Sequence, residues 1–217
     1  MTKFCCISDI HENYDIDIPD CDFLLIAGDI FSNPKINSQL FWMQNFRVFI
    51  SEIEKRQIKW LMTPGNHDSI FEQCSYHLVS DKIKMNTLID EYKDIEFAGL
   101  DEETKPRFRV YGSPWQKRFF DWSFNLDEPD LERKWSMIPD NTEILLLHSP
   151  PYGILDNKLG SPSLTKRIQE LPNLKLCVYG HIHVGYGHKM INGIHFVNAS
   201  LCNDNNKIVN KPIMIEL

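Results

Sequence analysis

The segment KFCCISDIH, residues 3–11, joins a short apolar run to two polar residues spaced two apart. Such a run, bounded by charged or turn residues, is typical of a strand buried on both faces of a sheet. In extended backbone, residues i and i+2 project to the same side, so Asp9 and His11 can converge on one centre. The segment therefore predicts a central strand that ends in two candidate metal ligands.

Four further apolar runs are each followed at once by residues able to bind a metal; they are residues 22–27, 58–63, 143–147 and 175–179. The residues that follow them are Asp29, Asn66, His67, Asp68, His148, His181 and His183. In open α/β sheets, ligands bind at the carboxyl ends of the strands. Each motif alone has an ordinary explanation as a turn, a cap or a buried histidine. Five of them in succession predict one shared site.

An amphipathic helix is predicted between the second and third runs. Asn33 can cap it, with Pro34 at its first position. Apolar residues then recur at a spacing of three or four; they are Ile36, Leu40, Met43, Phe46, Ile50 and Ile53. A strand–helix–strand crossover is right-handed in nearly all cases and joins parallel strands. The pattern therefore predicts an α/β fold.

The rest of the chain adds further expectations about the fold. Additional strands are predicted at residues 96–100, 108–111, 195–198 and 212–216, whereas residues 101–139 are expected to be rich in loops and aromatic residues. The length of 217 residues, without repeats or linkers, predicts a single domain over residues 1–217.

Composition narrows the function classes. The net charge of −7 argues against a protein that tracks along a nucleic acid polymer. None of the six cysteines forms a C-x-x-C pair, so we expect reduced core thiols rather than a structural zinc site. We see no leader and no apolar stretch near 18 residues, and expect a cytoplasmic chain without a membrane span.

The residue types at the strand ends indicate a two-metal centre. Carboxylate, imidazole and amide ligands suit Mn, Fe or Zn, and suit Mg less well. Two metals about 3.5–4 Å apart can clamp a phosphate and activate a bridging hydroxide. Asp29 is the natural candidate for the carboxylate between them. Two divalent ions with only two carboxylate ligands leave a positive pocket, which favours phosphate even in an acidic protein.

Together these motifs resemble the calcineurin-like metallophosphoesterase superfamily, in the family's own order, from Asp9 to His183. The segments YGSPW at residues 111–115, HSPP at 148–151 and NASLC at 198–202 are similar to a narrower group. That group comprises small metallophosphoesterase-domain-containing proteins of animal brain and their bacterial and viral relatives. The resemblance implies a two-sheet α/β sandwich flanked by helices, in four αββα layers.

The resemblance also implies a role for each motif residue. One metal is held by Asp9, His11, Asp29 and His183. The other is held by Asp29, Asn66, His148 and His181. His67 remains unligated and faces the substrate and its leaving group. Asp68 is expected to orient His67, although the narrower group usually has Glu there. The segment at residues 152–160 lacks the Gly- and His-rich loop expected of that group, so substrate choice can differ.

The aromatic segment between Trp115 and Trp122 is more typical of packing than of base stacking. Within it, Trp115 is the best candidate to line the site, because its loop follows a predicted strand.

The leading functional interpretation is a phosphodiesterase acting on a small phosphoester such as a cyclic nucleotide. Diester attack builds charge on the nonbridging oxygens, where fixed positive charge is most effective, and no motif segment contains the arginine clamp common in monoester enzymes. The alternatives are a phosphomonoesterase or protein phosphatase, using Arg107, Arg109 or Arg118, a nuclease, and a metal-binding scaffold without turnover. The complete ligand set argues against the scaffold, and the net charge argues against the nuclease.

Overall fold

The structure is a computed structural model that describes residues 1–72, 79–96 and 107–217. Its strands are β1 Lys3–Ile7, β2 Phe23–Ala27, β3 Lys59–Thr63, β4 Glu91–Glu96, β5 Arg107–Ser113, β6 Gln116–Lys117, β7 Asn125–Leu126, β8 Ile144–Leu147, β9 Leu176–Tyr179, β10 Gly187–Ile191, β11 Ile194–Asn198 and β12 Ile213–Glu216. Its α-helices are α1 Ile36–Lys55, α2 Asp81–Asn86, α3 Glu128–Ser136 and α4 Pro162–Gln169.

Two sheets form the centre of the molecule. The first has the order β12-β1-β2-β3, with β1, β2 and β3 parallel to one another. The second has the order β10-β11-β9-β8-β5-β4, in which the four inner strands are parallel and both edge strands are antiparallel. A further short pair joins β6 to β7. The predicted crossover between β2 and β3 is confirmed by their parallel pairing.

Successive side chains of each strand point to opposite faces of its sheet, and this divides the core into layers. Phe4 and Cys6 on β1 face the interior between the sheets, where they join residues of β8 and β9. Cys5 and Ile7 point the other way, into a cluster with the apolar side of α1. A third cluster fills the space between the second sheet and helices α3 and α4. This helix–sheet–sheet–helix order confirms the predicted sandwich.

The five runs that precede the motifs are strands β1, β2, β3, β8 and β9, each within one or two residues of its predicted bounds. Their apolar residues are buried on both faces, as the pattern predicts. The predicted strands near residues 108, 195 and 212 correspond to β5, β11 and β12. Most of the predicted strand at 96–100 lies outside the described residues.

The predicted start of α1 is wrong. The helix begins at Ile36, and Asn33 instead accepts a hydrogen bond from the Lys35 amide at 2.9 Å, which makes a turn before the helix. The apolar stripe also shifts, because Leu40 is 36% exposed whereas Gln39 is fully buried. Gln39 Nε2 donates to the carbonyl oxygen of His67 at 2.5 Å, so α1 is fastened to a loop that carries motif residues.

The expectation of loops at residues 101–139 is wrong in part. Residues 101–106 lie outside the described residues, but α3 occupies Glu128–Ser136. Only Leu131 and Trp135 of this helix are buried, at a spacing of four. Two apolar residues are too few for a clear periodic pattern, which explains why the helix was not predicted. Among the described helices, none has the length and apolar content that a bilayer crossing requires.

Candidate metal centre

The carboxyl ends of β1, β2, β3, β8 and β9 meet at one edge of the sandwich. Two glycines in the turns after β2 and β3 allow these strand ends to lie close together. Gly28 has a φ of +90°, and a Cβ added there would lie 2.6 Å from Nδ1 of His148. A Cβ on Gly65 would overlap the Asp29 carboxylate. Without side chains at these two turns, the motif loops of both sheets pack directly against one another.

One group of candidate ligands comprises Asp9, His11 and His183, whose ligand atoms all lie within 4.8 Å of one another. His183 Nε2 is 3.3 Å from Oδ1 of Asp9 and 3.4 Å from Nε2 of His11. The other oxygen of Asp9 accepts hydrogen bonds from the Ser200 hydroxyl at 2.8 Å and from the His181 amide at 3.0 Å. One Asp9 oxygen is thereby fixed, and the other faces the two imidazoles.

A second group surrounds His148. Its Nε2 lies 3.0 Å from Oδ1 of Asn66 and 3.5 Å from Oδ2 of Asp29, and the His181 ring centroid is 5.1 Å from its own. His148 is fully buried, and both Asn66 and Asp29 are nearly so. The structure thus brings together the four residues predicted for the second metal.

Asp29 occupies the position between the two groups. Its ligand atoms fall within 4.8 Å of those of His11 and His67 in one set, and of Asp9 and His148 in another. Oδ1 accepts a hydrogen bond from the His67 amide at 2.8 Å, whereas Oδ2 is 3.5 Å from His148 Nε2 and 3.8 Å from His67 Nε2. Oδ2 is therefore the atom that faces the imidazoles of His148 and His67.

Main-chain carbonyls determine which ring nitrogens face the centre. His11 Nδ1 lies 3.1 Å from the Phe31 carbonyl oxygen, and His148 Nδ1 lies 2.8 Å from that of Ala27. Because a carbonyl oxygen only accepts, each Nδ1 carries the hydrogen, and the neutral ring presents an Nε2 lone pair to the centre. Imidazole lone pairs and carboxylates that converge on one point are the arrangement that a cation satisfies.

His183 is held differently. Its Nδ1 lies 3.5 Å from Oδ1 of Asp204, an acid whose side chain is 82% exposed. Asp204 was not predicted from the sequence, since its position relative to His183 depends on how the segment after β11 returns to the centre.

Burial and charge shift the pKa values of the cluster, and the direction differs between its histidines. Burial would raise the pKa of Asp9 and of Asp29, but the surrounding imidazoles outweigh it and hold both below the ordinary range. Burial lowers the pKa of His181 to about 3. Burial would also lower the pKa of His183, but Asp9 outweighs it and raises that pKa to about 9. Ionised carboxylates and a neutral His181 fit the binding of divalent cations, whereas His183 must release a proton when it binds a metal.

The His67 imidazole and the Asp68 carboxylate have different hydrogen-bond partners. His67 Nδ1 lies 2.7 Å from the carbonyl oxygen of Ser32. The Asp68 carboxylate accepts from the Gly65 amide at 2.8 Å and the Phe31 amide at 3.1 Å. Asp68 therefore holds together the loops after β2 and β3 rather than the imidazole itself.

Trp115, the aromatic residue expected to line the site, contacts Asp90 and Lys134. Its indole nitrogen donates to Oδ2 of Asp90 at 2.7 Å, and the Lys134 ammonium lies over its ring at 4.4 Å. The aromatic residues beside the candidate centre are instead Trp122, whose ring centroid is 3.7 Å from that of His67, and Phe119, at 5.9 Å from that of His181. The Ser123 amide donates to the Asn66 carbonyl at 3.3 Å, which brings this loop to the centre.

Comparison with known proteins agrees with this geometry. The sequence profile described as calcineurin-like phosphoesterase matches residues 2–185. A human protein named metallophosphoesterase domain-containing protein 1 is 32% identical over 240 residues, covering 100% of this chain and 71% of its own length. A 3′,5′-cyclic-nucleotide phosphodiesterase of Nostoc sp. is 25% identical, covering 85% of this chain and 64% of its own. The solved structure of a dimetal phosphatase from Danio rerio superposes with a TM-score of 0.52 at 11% identity, covering 91% of this chain and 86% of that one.

Proposed function

The chain belongs to the calcineurin-like phosphoesterase family, whose members are dinuclear metal-dependent phosphoester hydrolases, and on this premise we propose that it is a phosphodiesterase for small substrates such as cyclic nucleotides. The single observation that carries the proposal is the convergence of seven nitrogen- and oxygen-bearing side chains on one edge of the sandwich. The similarity to the Nostoc cyclic-nucleotide phosphodiesterase supports the substrate class.

In this proposal, the first metal is held by Asp9, His11, Asp29 and His183. The second is held by Asp29, Asn66, His148 and His181, so that Asp29 is shared. When bound, the ions supply Lewis-acid stabilisation of the phosphoryl oxygens. Mn is the ion that we expect to support activity best, because this imidazole-rich set is poorly suited to Ca, which prefers oxygen ligands.

His67 is proposed as the proton donor to the leaving group. The Ser32 carbonyl fixes its Nδ1–H, so that Nε2 is the atom that gains and releases the proton. Trp122 packs against the ring, which restricts its rotation. A diester leaving group of high pKa needs such a proton, and general acid catalysis contributes about 10²–10⁴-fold. Asp68 supports this histidine indirectly, through the backbone of the loop that carries it.

Phe119 and Trp122, rather than Trp115, are proposed to contact the organic part of the substrate. Phe119 is 48% exposed, so part of its ring surface is available to a nucleobase or aryl group. Aromatic side chains stack on bases without regard to base identity.

A phosphomonoesterase is the second candidate. Arg109 binds the Asp94 carboxylate through two nitrogens and is therefore occupied elsewhere. Arg118, however, lines a cavity together with His181 and His183, as does Lys117. Cations at that position are compatible with a doubly charged phosphate.

The experiment that tests the proposal is a substrate panel on the Mn-reconstituted protein. We expect kcat/KM for bis-aryl phosphate, 2′,3′-cyclic AMP and 3′,5′-cyclic AMP to exceed that for the matching monoesters. The variant His188→Ala should give the same substrate ratios as the unmodified protein, because His188 contacts His195 outside the centre. A monoester preference of about tenfold or more, roughly 1.4 kcal/mol in transition-state stabilisation, would replace the diesterase proposal with the second candidate. Two bound metals without turnover of any substrate would favour a scaffold.

A further inference from the structure

A cavity of about 540 Å³ opens at His181 and His183. Its volume lies within the range typical of small-molecule sites, about 300–1,000 Å³. Its lining also includes Phe119 and the two cations Lys117 and Arg118. The lining of the cavity therefore combines two histidines of the candidate metal centre, one aromatic ring and two basic side chains.

The aromatic part lies next to the centre. The Phe119 ring centroid is 5.9 Å from that of His181 and 6.2 Å from that of Trp122. Phe119 thus stands at the boundary between the centre and the rest of the cavity. A flat group attached to a phosphate at the centre reaches this ring first.

The basic part lies beyond the aromatic ring. Lys117 ends β6 and precedes Phe119 by two residues, so their Cα atoms are at most about 7 Å apart. Lys117 is exposed, and its ammonium forms no ion pair within residues 1–72, 79–96 and 107–217. Arg118 Nε donates to Oδ1 of Asp127 at 3.0 Å, which leaves the other guanidinium hydrogens available.

The acid in the cavity is directed elsewhere. Asp204 also lines it, but its Oδ1 lies 3.5 Å from Nδ1 of His183, the ring nitrogen that points away from the centre. The positive charge at Lys117 is therefore available to an anionic group of a ligand.

Resting on the proposed function, we infer that the preferred substrate is a nucleotide diester that carries a second, non-scissile phosphate. The proposed metal centre would supply the positive charge for the scissile phosphate, which leaves Lys117 to serve a different anion. The base packs on Phe119, and the second phosphate contacts Lys117, with Arg118 beside it. Alternating aromatic rings and cations are the surface on which single-stranded nucleic acids bind.

The test compares two substrates that differ by one group: adenosine 2′,3′-cyclic phosphate and the same compound phosphorylated at the 5′ position. With the Mn-loaded full chain at low salt, we expect the 5′-phosphate to raise kcat/KM about tenfold, the lower range for a charged hydrogen bond. Lys117→Gln should reduce this ratio to below about threefold, and Lys117→Arg should restore it. Lys3→Gln changes the net charge equally at the amino end of β1 and should leave the ratio unchanged.

Two further results decide the inference. Raising the salt concentration should reduce the ratio in the unmodified protein, since the contact is exposed. A ratio below about twofold in the unmodified protein, or one that survives in Lys117→Gln, would overturn the inference while leaving the phosphodiesterase proposal intact.

If neither compound is hydrolysed, the phosphodiesterase proposal has failed, and binding then tests the cavity by itself. Calorimetry should show that adenosine 3′,5′-bisphosphate binds the unmodified protein about tenfold more tightly than adenosine 3′-phosphate. That difference should be lost in Lys117→Gln. Equal affinities would contradict the inferred second phosphate site.

Discussion

His148 and His183 end neighbouring segments of the second sheet, but the structure supports them in different ways. His148 is fully buried, and its Nδ1 is bound to the carbonyl oxygen of Ala27 at the end of β2. The His183 side chain is 13% exposed, and its Nδ1 faces the exposed carboxylate of Asp204. Main chain of the first sheet therefore fixes one histidine. Within the described residues, Nδ1 of the other makes no hydrogen bond and lies beside one surface carboxylate.

This difference indicates how each part of the centre responds to change. No side-chain substitution removes the Ala27 carbonyl, so the orientation of His148 is coupled to the fold itself. Replacement of Asp204 removes the carboxylate beside His183 without disturbing a strand. The centre thus combines a part defined by the sandwich with a part that can be adjusted from the surface.

The largest effect is expected where the two parts meet. Asp29→Ala removes the carboxylate proposed to be shared by both metals, so metal content and activity should fall together to the level of the chelated protein. Metal analysis of the dialysed variant, with kcat/KM on bis-aryl phosphate, measures both. Retention of two tightly bound ions in Asp29→Ala would contradict the shared position.

A smaller effect on activity is expected from replacement of His67, which is not assigned as a ligand of either metal. His67→Ala should retain both metals while kcat falls by about 10²–10⁴-fold, because a proton donor is lost and no ligand is removed. Parallel measurements of metal content and kcat separate these outcomes. Loss of one ion from this variant would show that His67 is a ligand and that the assignment is wrong.

The variant Asp204→Asn tests the difference between the surroundings of His148 and those of His183. Outer-shell partners of metal-bound histidines contribute about 10–100-fold to metal affinity or activity. We expect one of the two Mn-binding events to weaken by about tenfold, the other to remain unchanged, and the unfolding midpoint of the metal-free protein to stay the same. Asp20→Asn, at an exposed acid paired with Arg56, serves as the control. Equal weakening of both events would contradict separate support.

The last effect is on stability rather than on metal binding, and it is expected at Ser200, which is buried and donates to Oδ2 of Asp9 at 2.8 Å. Ser200→Ala should lower the free energy of unfolding of the metal-free protein by about 1.5–3 kcal/mol, the range for a hydrogen bond to a charged group. The exposed Ser136, which donates to a main-chain oxygen on the helix surface, provides the matched substitution. Similar urea midpoints for the two variants would show that Asp9 does not depend on this hydroxyl.

The strand ends were predictable because each is encoded locally. An apolar run, a turn and a ligand-type residue follow one another within a few positions, as at Ile7 to His11, and parallel pairing brings the ends to one edge. The main-chain groups that orient the histidine rings could not be predicted in this way. The carbonyls of Ala27 and Ser32 carry no signature in the sequence, because every residue has a carbonyl and only the fold selects one.

The loop residues show the same limit. Trp115 and Trp122 lie in one aromatic segment, and nothing in their spacing distinguishes the tryptophan bound to Asp90 from the one packed on His67. The distinction arises from contacts between distant segments, such as the hydrogen bond from the Ser123 amide to the Asn66 carbonyl. Long-range contacts of this kind also place Asp204 beside His183.

The most direct test of the two-metal account is a crystal structure of the Mn-loaded protein with anomalous data collected above the Mn edge. We predict two anomalous peaks per chain, with the Asp29 carboxylate bound to both, His148 and His183 on different ions, and His67 bound to neither. A single peak, or a peak ligated by His67, would contradict the account.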